Sequence, residues 1–226
     1  GILKSTDGGQ TWDLLPSTAN FRFISDIEVR NENGNSVIYA GVVSGIYQGE
    51  EHQSLPNDGL YRSADGGQTW IQVLPLIAGS NKPYPVADIE ITSANRILVG
   101  TKRNLNDEGG SVILFSDQGI MGTWTVFNDY VGIIESDPNW YVTGRVMLGS
   151  APSDPNVVYA LFEAGYVDSE NGFVYSRGRH IARSNDGGAS WNYRPTPACS
   201  NYVWASIGWL ALTLGVEASN PGALYI

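Results

Sequence analysis

Two acidic triplets, Asp26-Ile27-Glu28 and Asp88-Ile89-Glu90, are the residues of this chain whose types and spacing best suit chemistry. Each lies in a short alternating run, 24–29 and 86–91, so Asp26 and Asp88 hold the same place on two equivalent strands. Two carboxylates facing one another can share a hydrolysis. One protonates the leaving oxygen and the other activates water, and the inverting form needs about 6.5–9.5 Å between them. Their recurrence also has a plainer reading, since a triplet that repeats with the units of a chain serves to build those units. Arg145 takes the equivalent place in a third unit and Ala211 in a fourth. Other reactive side chains are sparse. Cys199 is the single cysteine, which excludes an intrachain disulfide and reads as a small buried residue. His52 and His180 lack metal-ligand partners at useful spacing. The acidic stretch 104–108 lacks the spaced ligands of a calcium loop. The expectation is no metal and no cofactor.

The elements that would position these carboxylates are announced by a repeat. Ser5-Thr6-Asp7-Gly8-Gly9-Gln10-Thr11-Trp12 returns as Ser63-Ala64-Asp65-Gly66-Gly67-Gln68-Thr69-Trp70 and as Ser184-Asn185-Asp186-Gly187-Gly188-Ala189-Ser190-Trp191. A worn copy runs from Ser116-Asp117 to Thr123-Trp124, and the tryptophans are spaced by 58, 54 and 67 residues. A period of this length signals a repeat architecture. Apolar residues lead into each copy as a strand. Asp-Gly-Gly then turns the chain, because glycine takes positive φ freely and the Asp carboxylate accepts turn amides. The Thr/Ser-Trp pair opens the return strand with a large ring to bury. Asp7, Asp65, Asp117 and Asp186 are therefore expected to be structural, with Trp12, Trp70, Trp124 and Trp191 at matching, mostly buried positions.

Two further strand signals precede each hairpin: 24–29 and 36–43, then 86–91 and 96–100, then 144–148 and 157–161. Four short strands per unit, separated by Gly, Pro, Asn and Asp, describe an all-β propeller of four-stranded antiparallel blades. The expected organisation is a half blade over 1–16, blades over 22–75, 85–128 and 141–195, and a half blade over 208–226. Such a count suits a fragment of a larger propeller, six- to eight-bladed or double, so the remainder of a longer chain is itself an expected partner.

These residues give the chain a resemblance to the Asp-box (bacterial neuraminidase repeat) β-propellers, which include sialidases, endo-xyloglucanases, sortilin-type receptors and many secreted bacterial proteins. The runs Ser153–Ala160 and Ala218–Tyr225 resemble the phrase that opens the second strand in these repeats, and 208–221 is similar to large surface-exported propellers. The resemblance implies a fold and little about activity. Sialidases carry a Phe/Tyr-Arg-Ile-Pro signature, and Phe21-Arg22-Phe23-Ile24 only echoes it. Lys4, Arg62 and Arg183 sit just before Asp boxes and read as parts of the repeat. The endo-xyloglucanases use two Asp carboxylates, which makes Asp26 and Asp88 the candidate catalytic residues if the chain belongs to a β-glucan hydrolase.

Formal net charge is −10, from 13 Lys+Arg against 23 Asp+Glu, which disfavours nucleic acid and anionic membrane surfaces. No stretch has the length of a transmembrane span, so no membrane insertion is expected. Number the strands of a blade from the axis outward. The Asp-box turns (strands 3–4) then share a face with the 1–2 turns. The opposite face gathers the long connections 45–58, 103–110 and 164–179, with 75–84, 128–140 and 194–207. Loops on a rigid scaffold carry function. Tyr47, Trp140, Tyr141, Tyr166, Tyr175 and Trp204 on this face are the candidate ligand-binding residues, with Tyr84 nearby. The expectation is a secreted or cell-surface module that binds a protein or polysaccharide through its long-loop face, extracellular or on a bacterial surface. The alternative is part of a glycoside hydrolase acting on a β-glucan of xyloglucan type.

Overall fold

The computed structural model describes residues 1–129, 142–197 and 212–226. A two-stranded sheet comes first, from β1 (Leu3–Lys4) and β2 (Asp13–Leu14), followed by a 3-10 turn over Pro16–Thr18. The first complete blade uses β3 (Phe23–Glu32) and β4 (Asn35–Val43). A side hairpin of β5 (Gly45–Tyr47) and β6 (Glu50–His52) intervenes before β7 (Gly59–Ser63) and β8 (Ile71–Gln72) finish that blade. The second blade is β9 (Val86–Ile91), β10 (Ile97–Thr101), β11 (Ile113–Ser116) and β12 (Thr125–Phe127). The third is β13 (Val142–Ala151), β14 (Asp154–Val167), β15 (Val174–Ser184) and β16 (Asn192–Arg194). A last two-stranded sheet joins β17 (Gly215–Val216) to β18 (Leu224–Tyr225). Every pairing inside a blade is antiparallel and follows chain order.

The blades are held together by strands buried on both faces. On β10, Ile97 and Val99 enter the core shared with the first blade, beside Tyr39, Leu60 and Val86. Leu98, between them, faces the other way into the core shared with the third blade, beside Val146, Leu148 and Phe162. Period-two alternation thus gives one apolar strand two separate cores, which is why its sequence is continuously apolar. The same split puts Val37 and Tyr39 of β4 on one side and Ala40 and Val42 on the other. Innermost strands approach their neighbours closely at strand-two glycines. A Cβ on Gly100 would lie 2.3 Å from the carbonyl oxygen of Val146 on the third blade.

Two expectations are corrected. Trp70, Trp124 and Trp191 are half-buried, but Trp12 is 59% exposed. Trp70 packs on the preceding unit, with its ring 5.9 Å from Phe21 and its Nε1 donating to Ser17 at 3.2 Å. No part of the described residues covers the corresponding side of Trp12. The second correction is the connection expected over 164–179. It is largely strand: β14 and β15 stay paired, through a bulge between Phe162 and Glu163, to the pair Val167–Val174, so the third blade carries a hairpin that outruns its neighbours.

Candidate functional site

The Asp boxes close on themselves. The Gln10 and Thr11 amides both donate to Oδ1 of Asp7 at 3.0 Å, and the Thr11 hydroxyl donates to its Oδ2 at 2.6 Å. Ser5 donates to the same carboxylate at 2.8 Å and accepts the Gly9 amide at 2.8 Å. Asp65 repeats this set with Gln68, Thr69 and Ser63, and Asp186 with Ser190 and Ser184. The Thr hydroxyl and amide, with the Ser hydroxyl, hold the Asp7 and Asp65 carboxyls far below the ordinary carboxylate range. Burial works to raise that of Asp186, and its hydrogen bonds outweigh it. These carboxylates are already occupied by their own turns.

Asp117 departs from that role. It follows Ser116 directly instead of two residues on, so its carboxylate leaves the turn and grips Arg96 at 2.6 and 3.1 Å. Ser116 and Thr123 then meet hydroxyl to hydroxyl at 2.7 Å, where an Asp would have bridged them. The buried Nε1 of Trp124 has no acceptor among the described residues, whereas Trp12, Trp70 and Trp191 each donate to a turn carbonyl. Cations from the preceding unit cap these turns: Lys4 reaches the Gly66 carbonyl, Arg30 that of Asp117, and Arg96 that of Gly187.

The candidate catalytic pair lies on innermost strands, where β9 packs between β3 and β13. Oδ2 of Asp26 accepts the amide of Ile89 on the second blade at 2.8 Å. Oδ2 of Asp88 accepts the amide of Leu148 on the third blade at 2.6 Å. Each carboxylate therefore reaches forward one blade. Because Leu148 and Ile89 are equivalent, Met147 and not Arg145 takes the Asp place in the third unit. The pairing agrees, since Met147 lies opposite Leu161 as Asp26 lies opposite Gly41 and Asp88 opposite Gly100, and Arg145 falls two residues earlier, within the register shift of β13. Glu90 accepts the Ser150 hydroxyl at 2.5 Å. Burial, with the negative charges of Asp26 and Glu90, pushes the Asp88 carboxyl up to about 7 against the opposing Leu148 amide and Arg145. Burial likewise raises Glu90 and Glu28. Asp88 can hold a proton near neutrality beside a second carboxylate, the state a general acid needs.

The opposite, long-loop face carries a cleft of about 260 Å³ between the first two blades. Segment 51–58 forms one wall and residues from 82–83 and 104–106 the other. Ser44 donates to Asp58 at 2.6 Å, and burial pushes the Asp58 carboxyl up despite Lys102 and Lys82 nearby. On the other side of the β5–β6 hairpin, Tyr47 and Phe23 flank His52, each ring centroid 6.3 Å from it, and with Arg22 line an open recess of about 220 Å³. Tyr47 is 60% exposed. On the long hairpin of the third blade, Tyr166 stacks on Tyr175 with centroids 5.2 Å apart and planes at 19°, and Phe173 lies 5.9 Å from Tyr175. Phe173 is 68% exposed. Sequence reasoning singled out Tyr47, Tyr166 and Tyr175, weighed His52 only as a metal ligand, and passed over Phe173 and Asp58. Trp140, Tyr141 and Trp204 lie outside the described residues. Tyr84 is not a face residue, for it is buried in the core between the first two blades.

Comparison with known proteins gives the fold. Residues 3–14 match the BNR/Asp-box repeat family. No curated protein sequence matches the chain. Among solved structures it is similar to the GH74 enzyme of Niastella koreensis, at 19% identity and a TM-score of 0.52 over 85% of this chain and 26% of that one. It is also similar to the GH74 xyloglucanase of Xanthomonas campestris, at 18% and 0.48 over 85% and 26%. A further match is YCF48 from Cyanidioschyzon merolae, at 15% and 0.39 over 96% and 71%. The chain thus spans about a quarter of the length of the two GH74 structures. Antiparallel four-stranded blades that pack side by side and turn through self-saturated Asp boxes give this chain a β-propeller fold.

Proposed function

We propose that the chain is part of a larger secreted or cell-surface propeller, of bacterial extracellular type, that binds a protein or polysaccharide through its long-loop face. One observation carries the reading. Asp7, Asp65 and Asp186 spend their carboxylates on their own turns, whereas the opposite face presents an open cleft and exposed rings that no core requires. Flat aromatic rings bring large contact area at low entropic cost. A Tyr47→Ala, Phe173→Ala double variant tests it, assayed for capture of surface proteins and on a glycan array. Reduced binding with unchanged melting is expected, and unchanged binding removes the face.

A second reading is supported by the axial carboxylates. Asp88, held near neutrality beside Asp26, has the protonation a glycoside hydrolase acid requires. Under that reading the whole protein hydrolyses a β-glucan of xyloglucan type, and Asp88→Asn abolishes the hydrolysis while the fold persists. Full activity in that variant would end it.

A further inference from the structure

The cleft between the first two blades has a composition that neither aromatic stacking nor general polarity accounts for. Its walls are aliphatic at Leu55, Pro56, Pro83 and Leu105, and no aromatic ring lines it. Asp58 lines the cleft, and Ser44 is its one hydrogen-bond partner among the described residues. Glu51 stands exposed among the cleft residues. The lysine of the lining, Lys82, already donates to the Asn106 side chain of its own wall. Two acids against one lysine leave the lining with one net negative charge. Lys102 lies near Asp58 outside the lining, where burial and the charge of Arg145 push its ammonium down.

We propose that this cleft receives a lysine side chain of a partner protein, its methylene stem between the Leu55–Pro56 and Pro83–Leu105 walls and its ammonium at Asp58 and Glu51. The inference rests on the reading of the long-loop face as the binding face and commits that face to a protein partner. A desolvated carboxylate gains most from a donor that also carries charge. Apolar walls around a charged end suit a side chain with an aliphatic stem and a compact cationic head. The lack of a ring in the lining removes the flat platform on which a sugar would stack. An acidic chain, at net charge −10, steers a cationic partner toward it.

The test uses the whole protein and a fluorescein-labelled tetralysine peptide, followed by anisotropy at low and physiological salt. Asp58→Asn is expected to weaken binding about tenfold, the scale of one charge-assisted hydrogen bond. Glu51→Gln weakens it less, and both variants keep the parent's melting temperature within a few degrees. Asp13→Asn, on exposed β2 of the first sheet, leaves it unchanged. The same peptide with every side-chain amine acetylated does not bind. Equal losses in all three acidic variants would reduce the effect to general attraction and overturn the assignment, as would no loss in any. Cellohexaose binding abolished by Asp58→Asn would overturn the lysine and leave the face reading standing. The face reading fails separately, if the Tyr47→Ala, Phe173→Ala double variant keeps its partners.

Discussion

Raising the pH from 5 to 7.5 should destabilise this protein, and Asp88 should be the main reason. Its carboxyl moves from an ordinary 3.8 to about 7 in the folded state, because burial and the charges of Asp26 and Glu90 oppose its ionisation. A folded value above the unfolded one contributes stability that is complete below 3.8 and is lost as pH rises to about 7. Integrating that difference between pH 5 and 7.5 gives a loss of about 2–3 kcal/mol from this group. Glu90 and Glu28, raised by burial, push the same way. The depressed carboxyls of Asp7, Asp65 and Asp186 do not interfere, since they are ionised in both states above pH 5 and lose stability only in more acid solution. Asp88→Asn keeps a side-chain oxygen for the Leu148 amide and removes the titration. The assay is urea unfolding at pH 5, 6 and 7.5 with the slope against denaturant held common. The parent's midpoint should fall with pH, and that of Asp88→Asn should fall much less, so that the variant is the more stable protein at pH 7.5. Parallel curves for the two proteins would refute the argument, and so would a variant weaker by the same amount at every pH.

Ser184→Ala should cost about 1–3 kcal/mol in thermal unfolding, because the Ser184 hydroxyl is buried and the Gly188 amide would lose its 2.8 Å acceptor. Asp117→Asn, in contrast, should cost under about 1 kcal/mol, since the carboxylate it removes is largely exposed and its tie to Arg96 is a surface ion pair. A melting temperature several degrees lower in that variant would show that the worn turn depends on its acid after all. Gly100→Ala should cost about 1–3 kcal/mol by overpacking, as the new methyl meets the Val146 carbonyl. The equivalent change at Gly215, where a Cβ meets nothing within 4 Å, should stay within about 0.5 kcal/mol in the same denaturant titration.

The hairpins were legible because the motif is local. Ser, Asp, Gly and Thr lie within a few residues of each other, and the same spacing fixes both turn and hydrogen bonds. Asp117 shows the limit of such reading, because moving the acid one position toward Ser116 sends its carboxylate out of the turn to Arg96, in the β9–β10 connection of the same blade. The long third-blade hairpin escaped because Gly165 and the 168–172 turn read as loop, while the pairing is sustained by Tyr166 against Tyr175 across the strands. Arg145 was misplaced because the third unit has no acid to mark the position, and only the pairing of Met147 with Leu161 and of the Leu148 amide with Asp88 fixes it. The face of the cleft was legible from the connections 45–58, 75–84 and 103–110, but the cleft itself was not. Asp58 and Ser44 are 14 residues apart, and the facing wall comes from the next blade.

The two-sided strand at the middle of each blade constrains how such a protein can grow. Leu98 serves one interface while Ile97 and Val99 serve another, so a one-residue insertion within β10 would exchange the clients of both interfaces at once. Lineages that lengthen or shorten the propeller should therefore do so by whole units, copied with strand parity intact. Point insertions should gather in the connections, where the 45–58 excursion already shows that a blade tolerates an entire extra hairpin.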